Sequence, residues 1–352
     1  MRPIAMINQK GGVGKTTTAV NVAAALARDG QRVLLVDLDP QAHATMHLGI
    51  EPAPDEPGIY DILVSGTDAA EALRETSENL TLIPAHIDLV AAELELARRP
   101  ERELILRHAL EPLYDRFDTL IIDCPPSLGT LTVNALAAVE EVIIPLQPHF
   151  LALQGLGRLL ETVALVRDVL NPPLRIAGVV LCLYEKGTRL AQEVAADVRQ
   201  FIARASPQDA WYGARVFDTA IRRNVKLAEC PSFGRTIFDY APSSHGAKDY
   251  GALAREMREM ILPIIGEHTG EGGEAAGAAL SATRREVLAS ATPGQGGAAA
   301  ETCVVREARA DVDKVLPAGS RAPLGDLSEG ADPLAPPAAS SSSAPVTPDT
   351  AP

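Results

Sequence analysis

A glycine-rich segment between an apolar run and a helical pattern constrains the fold of this chain more than any other feature. The apolar run Ile4–Asn8 predicts a short buried strand, and the segment NQKGGVGKTT leads from it into a helical pattern over Thr16–Arg28. Gly11, Gly12 and Gly14 let the backbone N–H groups of the loop turn inward. Together with the N-terminus of the helix, these donors form a binding site for an anion.

The polar residues of this loop indicate that the anion is a nucleotide phosphate. Lys15 is placed to reach the β- and γ-phosphates, and the Thr16 hydroxyl is placed to bind Mg²⁺. The common form of such a loop has a glycine where this chain has Gln9, and Lys10 adds a second lysine at the mouth of the loop. We therefore predict ATP and Mg²⁺ as cofactors. The predicted nucleotide-binding segment consists of Lys10, Gly11, Gly12, Val13, Gly14, Lys15, Thr16 and Thr17.

Apolar runs alternate with helical patterns up to about residue 265. Each run is almost continuously hydrophobic, as expected of strands that are covered on both faces. The alternation predicts an α/β fold with a doubly wound, mostly parallel sheet flanked by helices, and with ligands at the carboxyl ends of the strands. The predicted strands are Ile4–Asn8, Arg32–Asp39, Thr119–Asp123, Glu141–Pro148 and Ile176–Tyr184. The predicted helices are Thr16–Arg28, Glu93–Leu110, Thr130–Val139, Leu156–Leu170 and Leu190–Ala203.

Three aspartates stand at the carboxyl ends of two of these strands. Asp123 ends the run TLIID, an arrangement in which the carboxylate holds Mg²⁺ opposite Thr16. Asp37 and Asp39 alternate along the end of another strand, so we expect them on opposite faces. One would then face Mg²⁺, and the other would face the γ-phosphate and an attacking water. The alternative is that both carboxylates only cap a loop.

Composition divides the chain into two parts and indicates where in the cell the protein is expected. Beyond residue 265, Gly, Ala, Pro and Ser dominate, and such a segment buries too little apolar surface to offset its ordering entropy. We therefore predict an ATPase domain over 1–265 and a disordered tail over 266–352. The sequence has no apolar run of about 18 residues and no signal-peptide core, so we expect a cytoplasmic protein without a membrane span. The net charge of −14 argues weakly against nucleic-acid binding, although a local basic patch can override it.

Three segments carry these predicted sites: KGGVGKTT (Lys10–Thr17), VDLDPQ (Val36–Gln41) and IIDCPPSLG (Ile121–Gly129). Together they resemble the deviant Walker-A ATPases, and specifically the ParA/Soj partition branch of these P-loop NTPases. Later blocks between residues 134 and 250 are similar to the same branch. The resemblance covers roughly residues 1–262, so the predicted tail lies outside it.

The resemblance implies roles for individual residues at the nucleotide. In this family, a lysine at the position of Lys10 reaches across an ATP-dependent dimer and contacts phosphate that is bound to the other subunit. The carboxylate that matches Asp39 orients the attacking water, and the one that matches Asp37 lies near Mg²⁺, beyond the directly bound ligands. Asn224, together with the backbone at Arg222, matches the segment that contacts adenine. The implied catalytic residues are Lys10, Lys15 and Asp39, and the implied metal-site residues are Thr16, Asp37 and Asp123.

The resemblance also implies DNA binding and partners. An arginine that matches Arg223 contacts DNA once the dimer forms, and Lys226 lies in the same basic turn. Many relatives have an arginine at the position of Gly187, and here Arg189 is expected to substitute for it. The implied function is a weak ATP hydrolase that is stimulated by a ParB-like DNA-binding protein. Its ATP sandwich dimer would bind nucleoid DNA without sequence preference and segregate chromosome or plasmid origins.

Four alternatives share parts of this pattern. A MinD-like division-site ATPase needs a basic amphipathic helix at its C-terminus, but the segment ALAREMREMILPIIGEH mixes both charges. A nitrogenase iron protein needs cysteines at its subunit interface, and none occurs between Met1 and Ile121. A dethiobiotin synthetase would lack the basic block near Arg223. Relatives that position chemotaxis clusters or carboxysomes keep the same ATPase, so the sequence leaves the cargo open.

Overall fold

The described part of the chain builds one mixed sheet. A computed structural model describes residues 1–51, 56–149 and 152–260. Its strands are β1 (Arg2–Met6), β2 (Val33–Asp37), β3 (Arg74–Ser77), β4 (Leu80–Ile83), β5 (Thr119–Asp123), β6 (Glu141–Leu146), β7 (Arg175–Leu181) and β8 (Arg215–Val216). Their order across the sheet is β3-β4-β2-β5-β1-β6-β7-β8. All of these pairs are parallel except β3 with β4, which confirms the predicted doubly wound, mostly parallel α/β sheet.

Helices connect the strands and cover both faces of the sheet. They are α1 (Lys15–Arg28), α2 (His43–His47), α3 (Leu89–Leu96), α4 (Ile105–Leu110), α5 (Thr130–Ala138), α6 (Ala152–Val169), α7 (Arg189–Ala203), α8 (Val225–Glu229), α9 (Ile237–Tyr240) and α10 (His245–Glu259). Four of the five predicted helices are found within a few residues of their expected bounds, as α1, α5, α6 and α7.

Two hydrophobic cores lie on opposite faces of the sheet. Along β1 and the residue after it, Ile4 and Met6 belong to one core, whereas Ala5 and Ile7 belong to the other. This is the alternation that a strand requires. Helices α1 and α10 pack on the first face, and α5, α6 and α7 pack on the second. Because both faces are covered, the strand sequences are continuously apolar.

The predicted helix over Glu93–Leu110 is wrong, because α3 and α4 are separate helices with residues 97–104 between them. Pro100 lies in this break. A proline lacks the N–H group that a helix interior needs, and it disfavours the helical conformation of the preceding residue. Apolar residues continue at helical spacing on both sides of the break, so the sequence pattern did not reveal it.

Four of the predicted strands extend past their observed ends at the carboxyl edge of the sheet, and the one predicted over Ile176–Tyr184 does so by three residues, since β7 ends at Leu181. Strand β2 ends at Asp37, and β1 and β6 also end two residues earlier than expected. The prediction that Asp37 and Asp39 alternate along one strand is therefore wrong, because Asp39 lies in the following loop. The Asp37 carboxylate accepts a hydrogen bond from the Asp39 N–H group at 3.2 Å, and this local bond turns the chain away from the sheet.

The predicted disordered tail over 266–352 lies outside the described residues, as does the predicted end of the ATPase domain at residue 265. Within the described ranges, no helix combines the length and the apolar character that crossing a membrane requires.

Candidate nucleotide-binding site

The loop between β1 and α1 has the backbone conformation of an anion cradle. Gly12 and Gly14 have φ angles of 72° and 93°, in the left-handed region that glycine adopts without strain. Gly14 is the N-cap of α1, and its carbonyl accepts a hydrogen bond from the Thr18 N–H group at 2.9 Å. The N–H groups of the first helical turn have no partner within the helix, so they are available to phosphate oxygens.

Lys15 is buried beside this loop rather than extended into solvent. Only 7% of its surface is exposed, and its Nζ donates to the Lys10 carbonyl at 3.4 Å. Burial lowers the pKa of Lys15, while the carboxylates of Asp123 and Asp39 act in the opposite direction. The ammonium group is thus already largely desolvated and oriented, which suits it to bind phosphate with little reorganisation.

A cavity of about 400 Å³ opens in front of the loop. Its volume is in the range typical of small-molecule sites. The loop, the segment after β2 and the chain between β7 and α8 meet around it, so the phosphate and adenine parts of the predicted site share one cavity. Of the predicted site residues, Gly11, Gly12, Gly14, Lys15, Thr16, Thr17, Asp39, Arg222 and Asn224 line the cavity. Lys10, Val13, Asp37 and Asp123 lie outside its lining.

Asp123 is fully buried at the carboxyl end of β5, and neither of its carboxylate oxygens has a hydrogen-bond partner. Burial raises the pKa of this carboxyl well above its usual range, and the nearby charge of Asp37 raises it further. The Thr16 hydroxyl and the Lys15 ammonium act in the opposite direction. A buried carboxylate without a partner is costly, and a cation beside it offsets that cost. The residues present therefore fit Mg²⁺ bound near Asp123 and Thr16.

Asp37 lies beside Asp123 in the sheet, but its carboxylate already has hydrogen-bond donors. One oxygen accepts from the Thr45 N–H group at 2.8 Å and from the Thr45 hydroxyl at 2.7 Å. The other accepts from the N–H group of Asp39. Burial raises the pKa of Asp37 to about 6 despite these bonds. Asp37 thus holds the loop that carries Asp39, which fits a position near Mg²⁺ without direct contact.

Asp123 and Thr16 alone are fewer ligands than the octahedral coordination of Mg²⁺ needs. Among the described residues, no group of three or more His, Cys, Asp or Glu side chains could hold a metal ion. Mg²⁺ ordinarily keeps several waters and takes one or two carboxylates together with substrate phosphates. The site therefore suits a magnesium ion that arrives with a nucleotide.

Asp39 reaches the cavity wall from the loop after β2. Its surface is only 7% exposed, and its carboxylate accepts a hydrogen bond from the Gln41 N–H group at 3.0 Å. The Ala42 N–H group donates to the Asp39 carbonyl at 2.8 Å. These bonds fix a carboxylate near Lys15, at the position that the resemblance assigns to the water-orienting group.

Arg222 and Asn224 form the other side of the cavity. Asn224 is the N-cap of α8, and its Oδ1 accepts from the Lys226 N–H group at 2.8 Å, which leaves the amide NH₂ group for the cavity. The Arg222 guanidinium donates to both carboxylate oxygens of Asp249, at 3.0 and 2.5 Å. This ion pair fixes the backbone at Arg222, the part of the residue that is expected to contact adenine.

A buried polar cluster behind the loop was not predicted from the sequence. The Thr18 hydroxyl lies 3.2 Å from the Tyr250 hydroxyl and 3.6 Å from the Cys182 sulfur. Burial raises the pKa of the Tyr250 hydroxyl and of the Cys182 thiol, the latter to about 12, so both groups stay protonated. The cluster connects α1 with α10 and with the segment after β7, and Cys182 and Tyr250 also line the cavity.

Comparisons with known proteins cover most of the chain. A family model described as an AAA domain matches residues 1–176. The chromosome partitioning protein ParA of Myxococcus xanthus is 44% identical over 74% of this chain and 89% of that protein. The sporulation initiation inhibitor protein Soj of Bacillus subtilis is 48% identical over 72% of this chain and 97% of that protein. The chain belongs to the ParA/Soj family of partition ATPases.

Solved structures share the fold of this ParA-family chain. A cobyrinic acid a,c-diamide synthase from Mycobacterium smegmatis, solved with a bound ATP analogue and magnesium, has a TM-score of 0.62 at 40% identity. The alignment covers 72% of this chain and 93% of that one. The ATP complex of McdA from Cyanothece has a TM-score of 0.62 at 22% identity over 74% of this chain and 98% of that one, and so shows the fold alone.

The basic residues for which the ParA resemblance implies DNA contacts lie on the surface, and each pairs with a carboxylate. The pairs are Arg189 with Glu193, Arg223 with Glu185 and Lys226 with Glu229, at N–O distances of 2.7, 2.7 and 2.8 Å. The three basic side chains are 91%, 60% and 51% exposed. Ion pairs this exposed are weak, so phosphates can compete for the same side chains.

Proposed function

We propose that this protein is a partition ATPase that forms a sandwich dimer on binding ATP and Mg²⁺, binds nucleoid DNA non-specifically and segregates chromosome or plasmid origins. It acts in the cytoplasm, associated with the nucleoid, together with a ParB-like partner. The contrast between the two lysines of the loop carries the proposal. Lys15 is buried beside the phosphate cradle, whereas Lys10 is exposed at the mouth of the loop with its ammonium group beside His149. A lysine in that position can contact a phosphate that is bound to a second subunit.

Within one subunit, the residues of this chain bind and orient the reactants. The N–H groups of the loop and Lys15 neutralise phosphate charge. Thr16 and Asp123 would hold Mg²⁺, which when bound neutralises the charge that develops on the β- and γ-oxygens. Asp39 orients the attacking water toward the γ-phosphate, as its fixed position at the cavity wall allows. Hydrolysis by one subunit alone is weak because Lys10 does not line this cavity.

Two subunits would face each other across two nucleotides. That arrangement brings many phosphate charges together, and one Lys10 from each subunit offsets the repulsion. A lysine supplied by the other subunit also stabilises charge on the phosphoryl group during transfer, as an arginine finger does. Hydrolysis removes the γ-phosphate and weakens the contact, so the state of the nucleotide sets the oligomeric state.

Dimerisation supplies DNA binding that a single subunit lacks. The protein carries a net charge of −14, which opposes the approach of DNA to one small basic patch. Two copies of Arg189, Arg223 and Lys226 on one surface double the number of phosphates that can be neutralised, and each releases counterions. Phosphate contacts carry no sequence information, so the binding is non-specific. A ParB-like partner that stimulates hydrolysis would dissolve the dimer and release the DNA.

Fluorescence anisotropy on two unrelated duplexes, across a salt series, tests this proposal. With ATP, the wild-type protein should bind both duplexes about equally, with a salt slope of about −0.9 for each neutralised phosphate. With ADP, binding should be at least about tenfold weaker. Arg223→Glu should weaken binding to both duplexes. The matched control is Arg116→Glu, at an exposed arginine before β5 near the amino-terminal edge of the sheet, which should have little effect.

Three results would count against the proposal. They are binding that ignores the nucleotide, a strong preference for one duplex, and equal effects of the two arginine variants.

A biosynthetic ATPase is the second candidate, because one solved relative at 40% identity is named for diamide synthesis. Such an enzyme has no use for DNA, so ATP-dependent DNA binding by the wild-type protein separates the two functions. The cargo is decided by the partner. A ParB-like protein should raise the ATP turnover of the wild-type protein but not that of Lys10→Ala, whereas a partner from a chemotaxis cluster or carboxysome would indicate another cargo.

A further inference from the structure

Lys10 contacts a histidine of its own subunit. The Nζ atom of Lys10 lies 2.7 Å from the Nε2 atom of His149. Lys10 follows β1, and His149 follows β6, the neighbouring parallel strand, which ends at Leu146. The contact therefore joins two adjacent strand ends at the edge of the sheet where the nucleotide loop lies.

The chemistry of this contact sets the protonation state of His149. An ammonium group only donates, so Nε2 of His149 accepts, and the neutral ring carries its proton on Nδ1. Burial lowers the pKa of His149, and the positive charge of Lys10 lowers it further. Both effects favour the neutral ring that the contact needs. The carboxylates of Asp39 and Asp123 act on Lys15 instead and are not among the groups that shift the pKa of His149.

The backbone that carries Lys10 is fixed, so the side chain is the part that can change its partner. Asn8 Nδ2 donates to the Pro145 carbonyl at 2.7 Å, and Asn8 Oδ1 accepts from the Lys10 N–H group at 3.0 Å. The Lys10 carbonyl accepts from Lys15 at 3.4 Å. Rotation of the flexible Lys10 stem can therefore move the ammonium group without disturbing the phosphate cradle.

We propose that His149 is the positioning residue for Lys10. It holds the ammonium group within its own subunit, and this contact must break before Lys10 reaches a phosphate across the dimer interface. The inference rests on the proposed cross-subunit role of Lys10. His149 thereby sets a threshold for ATP-dependent dimerisation. The threshold is the ATP concentration at which half of the protein dimerises. Loss of the acceptor lowers this concentration, whereas a neutral acceptor of similar reach leaves it unchanged. Protonation of the ring also lowers it, because two positive charges then repel.

Titration of the histidine rings by NMR in the nucleotide-free protein tests the contact itself. In the wild-type protein, His149 should titrate below its ordinary value. Lys10→Met keeps much of the side-chain length but removes the charge, so it should raise the pKa of His149 toward its ordinary value. His47, whose pKa is lowered to about 4 by burial and not by Lys10, serves as the control ring and should not respond. If the pKa of His149 is the same in both proteins, the inference is overturned, whether or not the protein dimerises.

Light scattering over an ATP series tests the threshold. At about pH 8, where His149 is neutral, His149→Ala should reach half-maximal dimerisation at a lower ATP concentration. The expected difference is on the order of fivefold, the factor that one hydrogen bond of this kind contributes. His149→Gln, whose amide oxygen can accept from Lys10, should behave as the wild-type protein does. As the pH falls through the lowered pKa of His149, the ATP concentration that the wild-type protein needs should approach that of His149→Ala. His149→Gln should continue to need more ATP than His149→Ala does.

A double-mutant cycle links the threshold to Lys10. Lys10→Ala should stay monomeric with ATP, and adding His149→Ala should not restore the dimer, because the histidine acts only through Lys10. The threshold is overturned if the wild-type protein and His149→Ala dimerise equally at about pH 8, or if their difference persists in acid or without Lys10. The wild-type protein could also fail to dimerise with ATP while the pKa of His149 still responds to Lys10→Met. That result would refute both the proposed function and the threshold, but it would confirm the contact between Lys10 and His149.

Discussion

Asp37 and Asp123 are register partners on the neighbouring strands β2 and β5, and both carboxylates are fully buried. Burial raises the pKa of each, that of Asp37 to about 6. The two differ in their partners, because Thr45 donates two hydrogen bonds to Asp37 while the oxygens of Asp123 have none. The sheet thus holds a buried carboxyl group without a hydrogen-bond partner at the point where Mg²⁺ is proposed to bind, and the nearby Thr16 hydroxyl and Lys15 ammonium offset its burial only in part. Such a group lowers stability until a cation arrives.

Binding of ATP with Mg²⁺ should release protons, because a nearby cation lowers the raised pKa values of Asp123 and Asp37. The wild-type protein should release protons near pH 6, where Asp37 titrates, and its affinity should increase as the pH rises through this range. Asp123→Asn should release far fewer protons, because its side-chain amide cannot titrate. Calorimetry in two buffers of different ionisation enthalpy counts the protons, with ATP lacking Mg²⁺ as the control. Equal proton release by both proteins would exclude Asp123 as the linked group.

Gly14→Ala should lower the free energy of unfolding by about 1–2 kcal/mol, because a side chain is strained at the left-handed φ of 93°. The added Cβ would lie 3.6 Å from the Cys182 Cβ, an ordinary contact, so backbone strain rather than crowding causes the loss. Gly11→Ala is the matched control from the same loop, since Gly11 lacks a positive φ and has open space at its Cβ. Urea denaturation compares them. Equal losses of stability would show that the conformation of Gly14 is not the cause.

Asp39→Ala should slow ATP hydrolysis by about 100-fold or more, because the water loses its orienting carboxylate. The phosphate cradle and the residues that fit Mg²⁺ remain, so the variant should still dimerise with ATP, and its dimer should persist far longer than that of the wild-type protein. Single-turnover hydrolysis and size-exclusion chromatography measure the two effects. Asp197→Ala, at an exposed aspartate on α7, is the control. A dimer lifetime equal to that of the wild-type protein would remove Asp39 from the hydrolytic step.

His47 should make the protein less stable in mild acid. The residue is only 1% exposed, and burial lowers its pKa from 6.5 to about 4. Between these values the unfolded chain binds a proton that the folded protein does not, so the free energy of unfolding falls as the pH falls through this window. The full shift is worth about 3 kcal/mol.

The variant His47→Gln cannot titrate, so its stability should depend less steeply on pH between about 6.5 and 4. Urea denaturation at several pH values compares it with the wild-type protein. The raised pKa of Asp37 acts in the opposite direction, since its protonation below about 6 favours the folded state, but both proteins share this effect. Identical pH slopes would show that His47 is not the group responsible.

Local patterns determine the parts of the molecule that could be predicted from the sequence. The run TLIID was expected to form a strand over Thr119–Asp123, and β5 has these bounds. The glycine-rich loop was expected between a strand and a helix, and Gly12 and Gly14 have the left-handed conformation that its function requires. In both cases the determining residues are neighbours in the chain, so their pattern is visible without the fold.

Contacts between distant residues determine the rest. Lys10 and His149 are 139 positions apart, and Thr18 meets Tyr250 across 232. A periodic pattern of apolar residues in the sequence does not reveal contacts between residues this far apart. Strand β8 has only two residues, too few for an apolar pattern. The ion pair between Arg223 and Glu185 spans 38 positions and was likewise not predicted, although the partners of Arg189 and Lys226 are near neighbours on their own helices.

Multi-angle light scattering on the wild-type protein and Lys10→Ala tests the central claim most directly. The wild-type protein should change from monomer to dimer with ATP but not with ADP. Lys10→Ala should still bind nucleotide through Lys15 and the N–H groups of the loop, yet it should stay monomeric with ATP. Lys248→Ala, at an exposed lysine on α10, should dimerise as the wild-type protein does. A Lys10→Ala protein that forms the ATP dimer with wild-type affinity and hydrolyses ATP at the normal rate would contradict the account.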